Sequence, residues 1–389
     1  MQPRRARHAF PLCTAICLTL AVPLYGAPPA TAGTARAAGT ARHATDASGA
    51  AGTEAVTAGG VTAGGVTAEP VTTGTANATA RGRRVGIAYQ AGGATRSGMN
   101  DSVRTGLWRA GGLLPGYSVE EPSKNATDAQ RAKLLRRLAK GGHNPVIAVG
   151  HSYARPLAKV AAEFPRTKFA IVDDATVKAP NVSNLLFAEN EAGFLAGVAA
   201  ALKSRARHVG FVGAVKEPVT QRYQAGFQAG AKAVEPGIKV DSAFITTAPG
   251  FGGFDLPKKG KAKARALFEK GADVVFHAAG GSAPGVFAAA KAAGGLVIGC
   301  DVDELVSAGD AGHEVIVTSA LKRFDVAVYD FIERSITGAT KPGVTVYDAK
   351  AGGIDYADTG GKVLDIEARL QVWKRAIATG MVRVPTRPS

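Results

Sequence analysis

Cysteine is nearly absent from this chain, with three in 389 residues. Cys13 and Cys17 stand in the N-terminal segment, so Cys300 is the only thiol of the chain beyond it. An internal disulfide and a cysteine-built metal cluster are excluded for that part. The seven histidines show neither an HExxH pattern nor a close pair. No metal site and no cofactor are expected from them. Long apolar runs are missing as well: the segment over 9–24 is broken by Pro11 and Pro23 and is too short for a membrane span. Acidic residues are in deficit, 31 against 47 Lys and Arg, for a net charge of +16. No helix-turn-helix, finger or aromatic-basic segment accompanies that charge, so nucleic acid is not an expected partner. Attraction to an anionic wall or membrane surface accounts for it.

What is present falls into three parts. Arg4, Arg5 and Arg7 precede the apolar segment, and Ala30-Thr31-Ala32 supplies small residues of the kind cleaved by signal peptidase. Residues 1–32 therefore read as a secretory signal peptide, and the protein as exported, extracellular or at the cell surface. Cys17 follows Ile16, where a lipid-anchor signal would place a small residue, which counts against an anchor there and leaves lipidation of Cys17 open. Residues 33–83 are rich in Ala, Thr and Gly, with a five-residue repeat in VTAGGVTAGGVTAEPVTTGT. They offer no large apolar face and read as a flexible tether. The folded part begins at Arg84.

Its clearest stretch is 273–304, DVVFHAAGGSAPGVFAAAKAAGGLVIGCDVDE. An apolar run of strand length, Gly280-Gly281-Ser282, an alanine-rich helix with Pro284 in its first turn, the stop Gly294-Gly295 and a second apolar run describe a β-α-β unit. A right-handed crossover lays the two strands parallel. Ligands bind beyond the carboxyl ends of such strands, here at Gly280, Gly281 and Ser282 and at residues 300–304 with Asp301 and Asp303. The same alternation runs through the chain. Strands are expected at 85–89, 146–150, 168–172, 208–213, 240–246, 274–276, 296–299 and 315–318. Helices are expected at 153–164, 191–203, 221–234, 257–270 and 325–336, with a Thr127–Gln130 capping box opening another that Gly141 stops. This is an α/β fold of parallel sheets covered on both faces, in two similar lobes with a cleft between them. Gly193 and Gly197, and Gly226 and Gly230, are spaced to let a helix lie close to its sheet.

Several stretches, EAGFLAGVAAAL (191–202), HVGFVGAVKEPVTQRYQAGFQAGA (208–231), the 271–304 unit and VTSALKRFDVAVYDFI (317–332), resemble the basic membrane protein family. VIAVGHSYARPLAKVAAEFPRTKFAIVDD (146–174) fits it too, and the resemblance runs from about 85 to 385. These are substrate-binding proteins of ABC importers, best known as purine nucleoside receptors. The resemblance implies two Rossmann-like lobes of the type I periplasmic-binding-protein kind, joined by three crossings: 84–188 with 304–342, and 189–303 with 343–389. Carried over, Asn100 is a ligand-binding amide, Asp173 ends a strand at the cleft, Phe254 is an aromatic facing the base, Asp301 the ribose-binding carboxylate and Lys322 the cleft lysine. Three places depart: Met99 stands where the family has a stacking Phe, Arg96 where it has an Asp, and Ala283-Pro284 where it has a Gly-x pair. A thioether can still cover a ring face.

Two other readings come from the residues themselves. Gly150-His151-Ser152-Tyr153-Ala154 imitates the Gly-x-Ser-x-Gly elbow of serine hydrolases, with Asp301 and His313 following in order. In the binding-protein reading, His151 and Ser152 are cleft-lining donors instead. The expected function is capture of a small hydroxylated ligand, a purine nucleoside foremost, by a monomer that is not an enzyme. It closes about its hinge and delivers the ligand to an ABC permease and its ATPase. The alternative in another class is a secreted sensor or scavenger uncoupled from transport.

Overall fold

The structure, a computed structural model, describes residues 84–91, 98–114, 116–247, 250 and 252–389. The segments expected to be a signal peptide and a tether, and Arg96, lie outside the described residues. The strands are β1 (Val85–Ala88), β2 (Tyr117–Glu120), β3 (Val146–Val149), β4 (Phe169–Val172), β5 (Val182–Phe187), β6 (His208–Val215), β7 (Lys239–Thr246), β8 (Val274–Ala278), β9 (Leu296–Asp301), β10 (Ile316–Lys322), β11 (Gly343–Tyr347) and β12 (Ile354–Tyr356). The helices are α1 (Met99–Arg109), α2 (Asp128–Lys140), α3 (Ala154–Glu163), α4 (Glu189–Lys203), α5 (Pro218–Val234), α6 (Pro257–Glu269), α7 (Ala283–Ala293), α8 (Glu304–Ser307), α9 (Gly309–Val315), α10 (Phe324–Thr337) and α11 (Glu367–Ala378).

Two six-stranded sheets result, in the orders β2-β1-β3-β4-β5-β11 and β7-β6-β8-β9-β10-β12. Every pairing is parallel except β10 with β12. The central strands VGIA, VIAV, FAIV and VVFHA are buried at every position, because helices cover both faces. The edge strand β2 alternates between exposed and half-buried residues, as a strand wetted on one side does. Reading the two orders side by side, β1 to β5 correspond to β6 to β10, so the lobes repeat one plan.

The division between the lobes differs from the expected one. β10 pairs β9 over Ile316–Leu321 and belongs to the second sheet, while β11 pairs β5 and belongs to the first. The lobes are therefore 84–188 with 323–347, and 189–322 with 348–389. The apolar run at 315–318 marks only the start of β10; its polar half continues the ladder opposite Gly299 and Asp301 and moves the crossing to Lys322. Helix α10 then packs on α1, where a Cβ at Gly106 would meet the Asp325 carbonyl oxygen at 2.5 Å.

The glycine spacing also has another use than the expected one. Gly193 and Gly197 of α4 lie against the carbonyls of Tyr223 and Phe227, and Gly226 and Gly230 of α5 against those of Asn190 and Phe194. Two helices meet backbone to backbone, rather than a helix meeting its sheet. The Thr127–Gln130 capping box forms in both directions, and Gly141 and Gly294 end α2 and α7.

Candidate ligand-binding site

The equivalent strands β4 and β9 both end in an aspartate with left-handed backbone, Asp173 at φ 62° and Asp301 at φ 66°. Among the described residues the only other non-glycine of this kind is Arg207. Such a backbone costs about 1–2 kcal/mol and persists only where its surroundings hold it. Here it turns one carboxylate from each lobe toward Lys322. That lysine, at the end of β10, is buried, and its Nζ donates to Asp173 Oδ1 at 2.8 Å and Oδ2 at 3.0 Å. Glu189 Oε1 lies 3.3 Å and Asp301 Oδ1 3.5 Å away, with the rings of Tyr223 and Phe187 at 5.6 and 5.9 Å.

Burial alone would lower the Lys322 pKa. The carboxylates of Asp173, Asp301 and Glu189 overturn this and hold its pKa well above the ordinary lysine value. Burial pushes the Asp173 carboxyl up, Lys322 opposes it and the other two carboxylates add to it, leaving it at about 6. The outer ring of partners comes from α4 and α5. Arg222 Nε donates to Glu189 Oε2 at 2.7 Å, and the Tyr223 hydroxyl donates to Asp301 Oδ1. Burial and then Asp301 raise the Tyr223 phenol far above its usual range, so it stays a donor. The neighbouring Cys300 thiol is raised chiefly by burial, which makes it an unreactive small residue at this pH.

The other expected residues divide into two groups. A cavity of about 180 Å³ beside Asp301 and Lys322 is lined from the first lobe by Gly98, Asp101 and Ser102, flanking Met99 and Asn100 at the start of α1. Met99 is half-buried against the core. The Asn100 amide is paired to Gln90 in both directions, donating to its carbonyl at 2.9 Å and accepting from its N–H at 3.1 Å. It staples the entry of α1, a duty not foreseen for a ligand amide. The second group lies at the ends of β7 and β8. The Phe254 ring rests against Gly280, whose absent Cβ would stand 3.0 Å from Cδ1. Gly281 similarly admits the Phe254 carbonyl. Ser282 is fully buried; its hydroxyl donates to Gly253 O at 2.8 Å and accepts from Leu256 N at 2.7 Å. It fixes the loop that carries Phe254, which uses the hydroxyl expected to serve a ligand.

His151 and Ser152 form a short turn after β3, equivalent to the turn of Gly280–Ser282 after β8, with His151 exposed and Ser152 half-buried. The hydrolase elbow needs strain at the serine, but positive φ falls on Gly150 at 86°, and Asp301 is engaged by Tyr223 and Lys322. Arg323 is held by Asp325 through two 2.8 Å bonds. Asp303 caps α8 through Leu305 N at 3.2 Å. Sequence reasoning missed Glu189, Arg222 and Tyr223. The available signal was an acid opening a helix that is apolar on every side, since such a helix buries its first turn.

Comparison with known proteins follows this geometry. Residues 90–375 match the Bmp family, described as ABC transporter substrate-binding protein PnrA-like. A CD4+ T-cell-stimulating antigen of Listeria monocytogenes is 31% identical over 323 residues, 78% of this chain and 88% of the relative. The ABC transporter nucleoside-binding protein BmpA of Lactococcus lactis is 31% identical over 262 residues, 63% of this chain and 72% of the relative. Among solved structures, an ABC transporter solute-binding protein from Conexibacter woesei superposes with a TM-score of 0.63 at 23% identity, covering 78% of this chain and 99% of that one. That likeness concerns the fold.

Proposed function

Because this chain belongs to the Bmp family of ABC transporter substrate-binding proteins, we propose that it is an exported receptor that closes its lobes on a purine nucleoside. It then presents the closed form to an ABC permease and its ATPase. The observation that carries this reading is Lys322 held between Asp173 of one lobe and Asp301 of the other. Carboxylates at the facing strand ends accept the two ribose hydroxyls, and Lys322 donates to the sugar. Phe254, backed by two glycines, offers a ring face to the base, with Met99 on the opposite lobe. The charge balance supports a nucleoside over a nucleotide. Among the described residues, Lys322 and Arg222 are already matched by Asp173, Asp301 and Glu189, and the neighbouring Arg323 by Asp325, so none of these three cations is set aside for a phosphate. That the Lactococcus relative is a nucleoside-binding protein supports this class.

Thermal unfolding against a panel of nucleosides, nucleotides and sugars tests the reading. Ligand at a hundred times its dissociation constant adds about 2.7 kcal/mol, seen as an upward shift of several degrees with guanosine, adenosine or inosine. A shift with sugars alone, or with nucleotides in preference to nucleosides, contradicts it.

A further inference from the structure

The exposed side of α6 carries Lys258, Lys259, Lys261, Lys263 and Arg265. At 100° per residue these bases spread over the arc opposite Gly260, Ala264 and Leu267, the buried stripe on which the helix packs. Ala262 and Ala266 fill the middle of the arc. Among the described residues, Arg265 alone of the five has an acid in reach, Glu269 of the same helix at 3.4 Å. The internal repeat supplies a comparison, because α2 is the equivalent crossover helix of the first lobe and is also basic. Its arginines are engaged: Arg136 with Glu163, Arg137 with Glu120 and Arg131 with the Ala126 carbonyl. The bases of α2 are largely used within the lobe; those of α6 are offered outward.

We propose that the basic face of α6 is a docking surface for the anionic headgroup layer of a lipid bilayer. Its composition decides against the other polyanions. Four of the five bases are lysines, hydrated point charges that suit a diffuse charged surface, whereas bidentate recognition favours arginine. The arc holds no aromatic or large aliphatic anchor of the kind that dominates protein interfaces, and no ring on which a nucleobase could stack. Each base near an anionic membrane adds attraction, and the effect is screened by salt. Only the expectation that the protein works beside a membrane is taken from the function proposed above.

Flotation of the full chain with phosphatidylglycerol-containing vesicles, and with phosphatidylcholine vesicles alone, tests this. The parent is compared with Lys258→Glu/Lys261→Glu/Arg265→Glu and with an equal charge reversal on the first lobe, Lys124→Glu/Lys133→Glu/Lys140→Glu. All three share residues 1–83, so any contribution from that segment is common to them, and neutral vesicles report its uncharged part. Of the new glutamates only that at 258 lies in the first turn of α6 and agrees with the helix dipole, while that at 265 removes the pair with Glu269, so thermal melts check that each variant folds. The α6 variant is expected to lose anionic-vesicle binding by at least about tenfold, and the first-lobe variant by less than about threefold. Equal binding by parent and α6 variant overturns the proposal, as does an equal fall in both variants, which would reflect net charge. Nucleoside titration of the same α6 variant is expected to match the parent, so failure of the docking surface and failure of the ligand reading are separable.

Discussion

Replacing Lys322 by methionine keeps the volume of the side chain and removes its charge from among three carboxylates. Glu189 would keep Arg222, but Asp173 and Asp301 would face each other without their shared cation. Breaking a buried ion cluster by deleting one partner costs about 3–5 kcal/mol. At about 1.5–2 °C per kcal/mol for a folded part of this size, the melting temperature near pH 8 should fall by roughly 5–10 °C. The loss should depend on pH, with a sign that follows from Asp173. Its folded pKa of about 6 lies above the unfolded carboxylate value, chiefly through burial, so it takes up a proton as pH falls through 6. Protonation therefore stabilises the parent modestly; without Lys322, which holds the Asp173 pKa down, that pKa stands higher still in Lys322→Met, so the variant gains more and the two proteins converge at low pH. Calorimetric melts of both at pH 5, 6, 7 and 8 read this directly. A loss below about 1 kcal/mol, or one equal at pH 5 and pH 8, would refute the argument that these groups form one coupled cluster.

Asp173 also sets a pH dependence for binding: if its ionised form accepts ribose hydroxyls, nucleoside affinity should weaken as pH falls through about 6, and Asp173→Asn should bind weakly with a flatter profile over the same range. Asp301→Asn keeps a side chain that tolerates the left-handed backbone and can still accept from Tyr223. It should melt near the parent while binding nucleoside about 10–100-fold more weakly, the loss of hydrogen bonds to a charged acceptor. Gly226→Ala drives a methyl group into the Asn190 carbonyl and should lower stability by about 1–3 kcal/mol despite the better helix propensity of alanine, as a denaturant titration will show.

The strands that were easiest to read, β3, β4, β8 and β9, are those buried on both faces, where continuous apolar runs leave little choice of structure. The helix between β8 and β9 was legible for another reason, since Gly294 adopts the left-handed cap that its position after the alanine run demands. Strand β2 was illegible because an exposed edge tolerates YSVE, whose pattern is too short to stand out. Within the site, Asp301 could be picked out because it closes an apolar strand at a ligand-facing end, whereas Lys322, four residues beyond the apolar run read as a strand, came only from the family resemblance. Glu189 could not, because an acid before AGFLAG is also what any helix N-terminus prefers. Its partners, Arg222 and Lys322, are distant in the chain and meet it only when α4, α5 and β10 pack. Asn100 and Ser282 show the opposite failure: polar residues in the right loops are used by the backbone around them.

The most direct test of the account is isothermal titration of inosine into the parent protein and into Asp301→Asn, at pH 7.5. The account requires saturable binding at one site per chain in the parent, and affinity at least about tenfold weaker in the variant. Absence of binding in the parent, or equal affinity in the two proteins, would contradict the assignment of the Asp173–Lys322–Asp301 cluster as a nucleoside site.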